Sequence, residues 1–298
     1  METKHISVCV CTFQRPILLR QLLAALVGQR TDGLFTYSVV IADNDPAQSA
    51  AHTVKEFTDA NSLEVVYCAE PRRNIALARN KTLEHARGDF IAFIDDDEFP
   101  AKDWLSHLFT ACVAENADGV LGPVVPHFPS ETPQWIKRGG FFNRPAHPTG
   151  FVMGWQECRT GNVLLRRGLF DGLPVPFDPE YNNAGEDMDF FRRMIDGGRT
   201  FKWCNEAIAY EVVPPSRWKR SFLLKRALFR GGKSLQHPDG RWRCLAKAII
   251  AVPLYALALP FLLVAGHHLF MRYFVKLCDH TGRLLALIGL NPLTERQM

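Results

Sequence analysis

Short runs rich in apolar and β-branched residues alternate along most of the chain with longer stretches in which apolar residues recur every three or four positions. The short runs at 5–11 (HISVCVC), 37–43 (YSVVIAD), 63–67 (LEVVY), 90–95 (FIAFID) and 118–126 (DGVLGPVVP) predict strands. The periodic stretches near 17–27, 48–58, 74–86 and 102–115 predict helices between them. A further strand is expected at 160–167, a helix at 186–196 and a strand at 206–214. Strand and helix in regular succession build βαβ units, so the predicted class is α/β with a mostly parallel, Rossmann-like sheet flanked by helices.

Two stretches break this rhythm. Residues 126–150 carry five prolines and three glycines among aromatics that look exposed, which predicts a long loop serving as a lid over a site. Residues 248–265 hold no charge and only Tyr255 as a polar handle, long enough for a candidate membrane segment, with Pro253 and Pro260 expected to kink it. Beyond it Leu269, Phe270, Tyr273, Phe274, Leu277, Leu284, Leu285 and Ile288 recur at helical spacing, while Arg272, Lys276, Asp279 and Arg283 take the other face. That is the pattern of an interfacial helix. The competing expectation is a helical hairpin packed on a soluble core.

Composition sharpens the picture in three places. At 298 residues and 47% hydrophobic, the chain can bury a substantial core in one large domain or two ordinary ones. The net charge of +4 is unevenly placed: 217–247 holds ten Lys or Arg against one acid, Asp239, and must face anions or water. The eight cysteines show neither metal spacing nor a compact disulfide framework, and Cys9 and Cys11 share one face of a predicted strand, which fits a reducing compartment. The start of the chain has no signal-peptide pattern, so chemistry on the cytoplasmic side is expected.

Chemistry is concentrated where strands end. Ligands of open parallel sheets bind at the carboxyl ends of the strands. Asp43 and Asp45 end the second predicted strand, and Asp95, Asp96 and Asp97 end the fourth, so five carboxylates are expected on one sheet edge. Unpaired, they would raise each other's pKa, and a divalent cation is the natural compensation. Hard carboxylate oxygens suit Mg²⁺ or Mn²⁺, which keep open positions for phosphate oxygens. The plain alternative is a solvated acidic turn at a helix start. No glycine-rich turn follows the first strand in "CTFQRP", no P-loop pattern occurs, and "DDDEFPAKDWLS" lacks the glycine and final Glu of an EF-hand. A nucleotide held without glycines, its diphosphate on a metal, is what remains.

The segments "ISVCVCTFQRPILLRQLLAAL", "VVIADND", "NIALARNKTLEHARGDFIAFIDDDEFPAKDWL" and "AGEDMDFFRRM" together resemble family 2 glycosyltransferases, inverting enzymes of the GT-A fold that use nucleotide-diphosphate sugars. The likeness covers about 6–213, and the second acidic motif resembles bacterial exopolysaccharide glycosyltransferases of the succinoglycan type.

Position by position, the resemblance implies roles. Thr12 and Asp43 would line the nucleobase pocket, Asp43 accepting from a uracil ring, and Arg79 would reach the pyrimidine or a phosphate. Asp95 to Asp97 match the DxD motif, with Asp95 toward the ribose, Asp96 beside the nucleotide and Asp97 on Mn²⁺ or Mg²⁺. Glu186 and Asp187 match the family's ED motif, whose Asp is the base; Glu186, Gly161 and Asn162 would lie on the acceptor side. Two departures stand out: Ile75 occupies a position where the family often has Gly, and Arg217-Trp218 lacks the Gln of the processive QxxRW pattern, with Pro214 in its place. A non-processive transferase adding one sugar is therefore implied.

The expected organisation is a GT-A catalytic domain at 1–215, a basic juxtamembrane linker at 216–247 and membrane-associated helices at 248–298. The expected partners are a nucleotide-diphosphate sugar, that of uridine by preference, a lipid-linked glycan acceptor and the cytoplasmic face of a bacterial inner membrane, with no nucleic acid. A nucleotidyltransferase would need a Gly-rich loop with a Lys near the first strand, which is missing, and an inactive membrane-anchored scaffold would not need Asp95, Asp97 and Asp187.

Overall fold

A computed structural model describes residues 3–181, 185–234 and 241–290. The chain divides into two units: Met1–Val125 with Arg144–Glu211, and Pro126–Asn143 with Val212–Met298.

The first unit is built on a seven-stranded sheet. Its strands are β1 (Lys4–Thr12), β2 (Phe35–Asp43), β3 (Val65–Ala69), β4 (Phe90–Ile94), β6 (Gly119–Leu121), β8 (Asn162–Arg166) and β9 (Phe201–Trp203), in the order β3-β2-β1-β4-β8-β6-β9. Strands β1 to β4 run parallel, β8 runs antiparallel to both its neighbours, and β9 is parallel to β6. Two short strands, β5 (Glu98–Pro100) and β10 (Ala209–Val212), pair apart from this sheet, with Glu98 opposite Glu211.

Side chains alternate across each strand, so both sheet faces are apolar. Ile6, Val8 and Val10 of β1 face one side, where they meet α1 (Pro16–Val27), α2 (Ala51–Ala60) and α4 (Trp104–Ala114) through Leu19, Leu22, Val54 and Leu105. Cys9 faces the other side with Ile91, Phe93 and Val163, under α3 (Ile75–His85) and α6 (Glu186–Asp196), whose Phe190 and Phe191 are fully buried. The layers are helix, sheet, helix. All eight cysteines are free thiols, and burial pushes Cys9 up to about 12, out of reach of thiolate chemistry.

Local signals explain the ends of these helices. Pro16 opens α1, where its missing N–H is one of the unpaired donors. Asn74 caps α3, its side chain accepting from the amides of Ala76 and Leu77. Three acids, Glu186, Asp187 and Asp189, sit in the first turn of α6, where the helix dipole favours them.

Several boundaries differ from expectation. The third strand lies at Val65–Ala69 rather than 63–67, because pairing with β2 fixes it as Val39 opposite Val65 through Asp43 opposite Ala69. The run at 118–126 splits into β6 and β7 (Val124–His127), separated by Gly122-Pro123. Strand β9 has no counterpart among the predicted elements.

The second unit holds β7's end, α5 (Gln134–Gly139), α7 (Arg220–Lys233), α8 (Arg241–Ala265) and α9 (His267–Leu287). The expected lid is more ordered than its composition suggested: Ile136 and Phe142 are buried with Val213 and Leu223, and Phe128, Trp135 and Phe141 pack around them. The stretch expected as a basic linker contains helix α7, and α8 runs through Pro253 and Pro260 without ending.

Candidate active site

Strand register brings the chemistry together. Thr12 ends β1 beside Asp43 at the end of β2, and β4 delivers Asp95, Asp96 and Asp97 next to them. Asp43 is 0% exposed: Oδ2 accepts from the Ala50 amide at 2.8 Å and the Tyr67 hydroxyl at 3.0 Å, and Oδ1 from the Asp45 amide at 3.1 Å. Asp43, expected to accept from the base, is held by these internal contacts, which brace the turn that follows β2. Asp45 is likewise turned into that turn, accepting from the Ala47 amide.

Asp96 also points inward. Thr12 Oγ1 donates to its Oδ2 at 2.8 Å and Arg15 to its Oδ1 at 2.8 Å, so Thr12 and Asp96, both expected at the nucleotide, are engaged with each other. Burial raises the Asp96 pKa despite Arg15 and Thr12. Arg15 reaches Asp97 as well, at 3.2 Å. Arginine, which sequence reasoning did not place here, supplies part of the compensation that a metal was invoked to provide.

Asp95 is different, with 47% of its side chain open to solvent. Its pKa is raised to about 6, foremost by desolvation at the foot of the cleft, then by Asp97 and Asp96, with Arg79 pulling the other way. Beside it Glu98 is 2% exposed, and neither carboxyl oxygen has a hydrogen-bond partner. Burial, then Asp95, push Glu98 well above the usual carboxylate range. Arg144, bound to Glu211 at 2.6 Å, is the cation that acts against this shift.

Gly161 closes this corner. A Cβ there would stand 3.0 Å from both Asp95 Oδ2 and Glu98 Oε1, so the bare backbone permits those two carboxyls to approach. Asn162 is not on an open face: its amide donates to the Pro123 and Ala207 carbonyls and accepts from the Trp104 indole, all buried. Asn162, expected on the acceptor side, pins β8 to its neighbours through these bonds.

The second acidic motif meets the first through one arginine. Arg79 on α3 is buried, forms an ion pair with Glu186 Oε1, and lies 4.0 Å from Asp95 Oδ1. Burial works against its charge, but Glu186, Asp95 and Asp187 outweigh it and hold its pKa above the ordinary value. Arg79, expected at the pyrimidine or a phosphate, faces these carboxylates. Asp187, half-buried, accepts from the Met188 amide at the start of α6, and Glu186 Oε2 has no partner.

Asn44 completes the scaffold, and sequence reasoning passed over it. It donates to the Glu70 and Arg72 carbonyls and accepts from the Asn74 amide, tying the β2 end to the start of α3. Its place between two acids in "ADND" was the available signal; Arg15 and Arg144 had none.

Residues 7–171 match the sequence profile described as glycosyl transferase family 2. The chain belongs to this family. It is 38% identical to the succinoglycan biosynthesis protein ExoM of Rhizobium meliloti over 240 residues, covering 78% of this chain and 74% of that protein. It is also 27% identical to the hyaluronan synthase of Pasteurella multocida, spanning a quarter (25%) of that longer chain and 72% of its own. Among solved structures, the mannosyltransferase PcManGT from Pyrobaculum calidifontis in complex with GDP-Man and Mn²⁺ superposes with a TM-score of 0.63 at 17% identity, over 97% of this chain and 87% of that one. S. aureus TarS 1-349 in complex with UDP-GlcNAc gives 0.55 at 16%, over 97% and 93%. The fold is of the GT-A type, and the protein is a glycosyltransferase.

Among the described residues no three His, Cys, Asp or Glu form a ready-made metal cage. A Mg²⁺ or Mn²⁺ carried by a diphosphate needs only one or two carboxylates from the protein. Asp95 and Asp97, with the orphaned oxygens of Glu98 behind them, fit that lesser demand.

Proposed function

We propose that this family 2 glycosyltransferase is inverting and non-processive, moving one sugar from a nucleoside-diphosphate sugar, of uridine, onto a lipid-linked or polysaccharide-precursor glycan. The observation that carries this reading is Arg79, which binds Glu186 while lying 4.0 Å from Asp95 and so draws the strand-end acids and the α6 acids into one site. Displacing a nucleoside diphosphate from an anomeric carbon needs charge stabilisation on the leaving phosphate and a base on the opposite face. Two acidic sets suit two such tasks.

In this reading Asp97 and Asp95 hold a divalent cation, which when bound supplies Lewis-acid stabilisation of the departing diphosphate. Asp187 takes the proton from the acceptor hydroxyl, its carboxyl oriented by the helix start that it shares with Glu186. Arg79 fixes Glu186 through their ion pair, so that α6 presents Asp187 to the cleft. Gly161 forms the wall beside Asp95, where a larger side chain would intrude. In-line attack gives a β-linkage from an α-linked donor. The neighbours' UDP-GlcNAc and GDP-Man support a nucleoside-diphosphate donor, and Pro214 in place of the processive Gln supports single addition.

The second unit supports the acceptor and location of this reading. A basic helix, α7, and an exposed apolar helix, α8, suit anionic lipid headgroups at the cytoplasmic face of a membrane, where a lipid-linked glycan is concentrated. The test is release of nucleoside diphosphate by purified protein from a panel of UDP- and GDP-sugars, with Mn²⁺, in the presence and absence of a short-chain polyprenyl-diphosphate glycan. Acceptor-dependent release from a UDP-sugar is expected; release from none of the donors overturns the reading.

A further inference from the structure

We infer that helices α8 and α9 lie as a hairpin in the plane of one membrane leaflet, with the outward face of α8 immersed, and that α8 does not cross the bilayer. The occupant of this face is a lipid surface carrying anionic headgroups.

Length alone permits the opposite. Cys244–Ala265 is a 22-residue apolar stretch, about 33 Å at the helical rise, against a hydrocarbon core of about 30 Å. It is not the core helix of a soluble protein either, because only 6% of its most apolar 18-residue window is buried.

The partner helix decides between crossing and lying flat. After Gly266 the chain reverses, and α9 returns along α8: the Tyr255 ring meets Tyr273 at 5.5 Å and His280 at 5.8 Å. Tyr255 is at the middle of the apolar stretch, so the middle of α8 is level with the most polar part of α9, which holds Arg272, Lys276, Asp279 and Arg283. An upright α8 would carry these residues into the hydrocarbon core. It would also carry α7, because Gly231 of α7 packs against the Asp279 carbonyl, Gly282 of α9 against that of Leu228, and Arg230 binds Asp279 at 2.8 Å. Helix α7 is basic along its length, with Arg220, Lys225, Arg226 and Arg230. Charges at that depth would lose their water.

Lying flat removes the conflict. Leu245 and Ala248 of α8 face inward and are buried, while Trp242, Ile249, Leu254, Leu257, Phe261 and Val264 face outward and are exposed, Phe261 at 78%. One wide apolar stripe is thereby offered to lipid, and the exposed Arg272 and Lys276 of α9 stay at headgroup level. Apolar immersion and basic complementarity then act on the same surface.

The experiment adds full-length protein to the outside of sealed vesicles of phosphatidylethanolamine and phosphatidylglycerol. It follows flotation, and labelling of native Cys244 and of an introduced His268→Cys by a maleimide that cannot cross membranes, placed outside or sealed inside, with labelled peptides identified by mass spectrometry. Both thiols should react from outside, at the two ends of α8. Phe261→Glu, at a position too exposed to disturb folding, should lower vesicle binding by about tenfold or more with circular dichroism unchanged. If the His268→Cys thiol is labelled only from inside, or from neither side until detergent is added, the in-plane arrangement is overturned while membrane association stands. The inference rests on the membrane association proposed above, so failure to float, with or without a concentration-dependent dimer, overturns both; sugar transfer is tested separately.

Discussion

Arg79 and Glu186 are 107 residues apart in sequence and joined in a buried ion pair between α3 and α6. Each is shielded from water, and Glu186 Oε2 has no other partner. Breaking such a pair from one side leaves a buried charge without compensation. Arg79→Met should therefore cost about 3–5 kcal/mol of stability, read from urea unfolding, while Arg79→Met with Glu186→Leu should recover most of the loss. Equal destabilisation by the single and double variants would show that packing, not charge, holds α3 to α6.

Asp187 tests the division of labour between the two acidic sets. Asp187→Asn keeps the side chain's shape and its contact to the Met188 amide, so the start of α6 should be unaltered. The expected outcome is turnover lower by on the order of a hundredfold or more, with the donor Kd unchanged. Turnover within a few fold of the parent would move the base elsewhere, with Glu186 the next candidate.

Gly161 gives a steric test of the same cleft. In Gly161→Ala the new methyl meets Asp95 Oδ2 and Glu98 Oε1 at 3.0 Å, a contact relieved by a shift of a few tenths of an ångström. Fold stability should change by less than about 1 kcal/mol, because the crowded atoms are side-chain ends. Misplacing Asp95 should nonetheless reduce kcat/KM by about tenfold to a hundredfold, measured with a saturating acceptor. An active variant would mean that the Gly161 wall is not part of the donor site.

Much of this site was legible before the fold was known, for reasons that are local. FIAFID followed by three more acids announces a buried strand whose end carries charge, and α6 begins at Glu186, where three acids start an amphipathic pattern. What could not be read depended on distant partners. Nothing in the sequence shows that the Ala50 amide and the Tyr67 hydroxyl both donate to Asp43. Nor does it show that Asn162 bonds to Trp104, Pro123 and Ala207. Arg15 and Arg144 reach acids far along the chain and leave no periodic trace. Strand β9, three residues long, is a strand because β6 lies beside it. The proline-rich stretch before Arg144 resembled a loop because Ile136 and Phe142 find their neighbours, Val213 and Leu223, much later in sequence.

Burial of that stretch has its own consequence. Ile136 is fully buried against residues of its own unit, so Ile136→Ala should destabilise the second unit by about 2–5 kcal/mol through lost contacts and a cavity. Hydrogen exchange resolved by peptide should show faster exchange in α5 and α7, with β1 to β4 unchanged. Uniform protection in α5 despite the substitution would mean that this cluster contributes little to holding the unit together.

Metal removal separates the protein's own cations from the one that the diphosphate brings. Arg15 already lies 2.8 Å from Asp96 and 3.2 Å from Asp97, and Arg79 is 4.0 Å from Asp95, so the fold does not depend on a metal to neutralise its strand-end acids. Excess EDTA should leave the Tm of the ligand-free protein unchanged. Donor binding is a different matter, because a diphosphate brought against Asp95 and Asp97 adds negative charge where negative charge is already dense. UDP should therefore raise the Tm with Mn²⁺ and not with EDTA, by the increment that RT ln(1 + [L]/Kd) sets at each UDP concentration. Asp97→Ala should abolish the Mn²⁺-dependent increment while keeping the ligand-free Tm within a few degrees, and Asp96→Ala should instead lower the ligand-free Tm by stranding Arg15 and Thr12. An equal UDP increment in EDTA and in Mn²⁺ would assign the neutralisation to the arginines alone and remove the metal from the donor site.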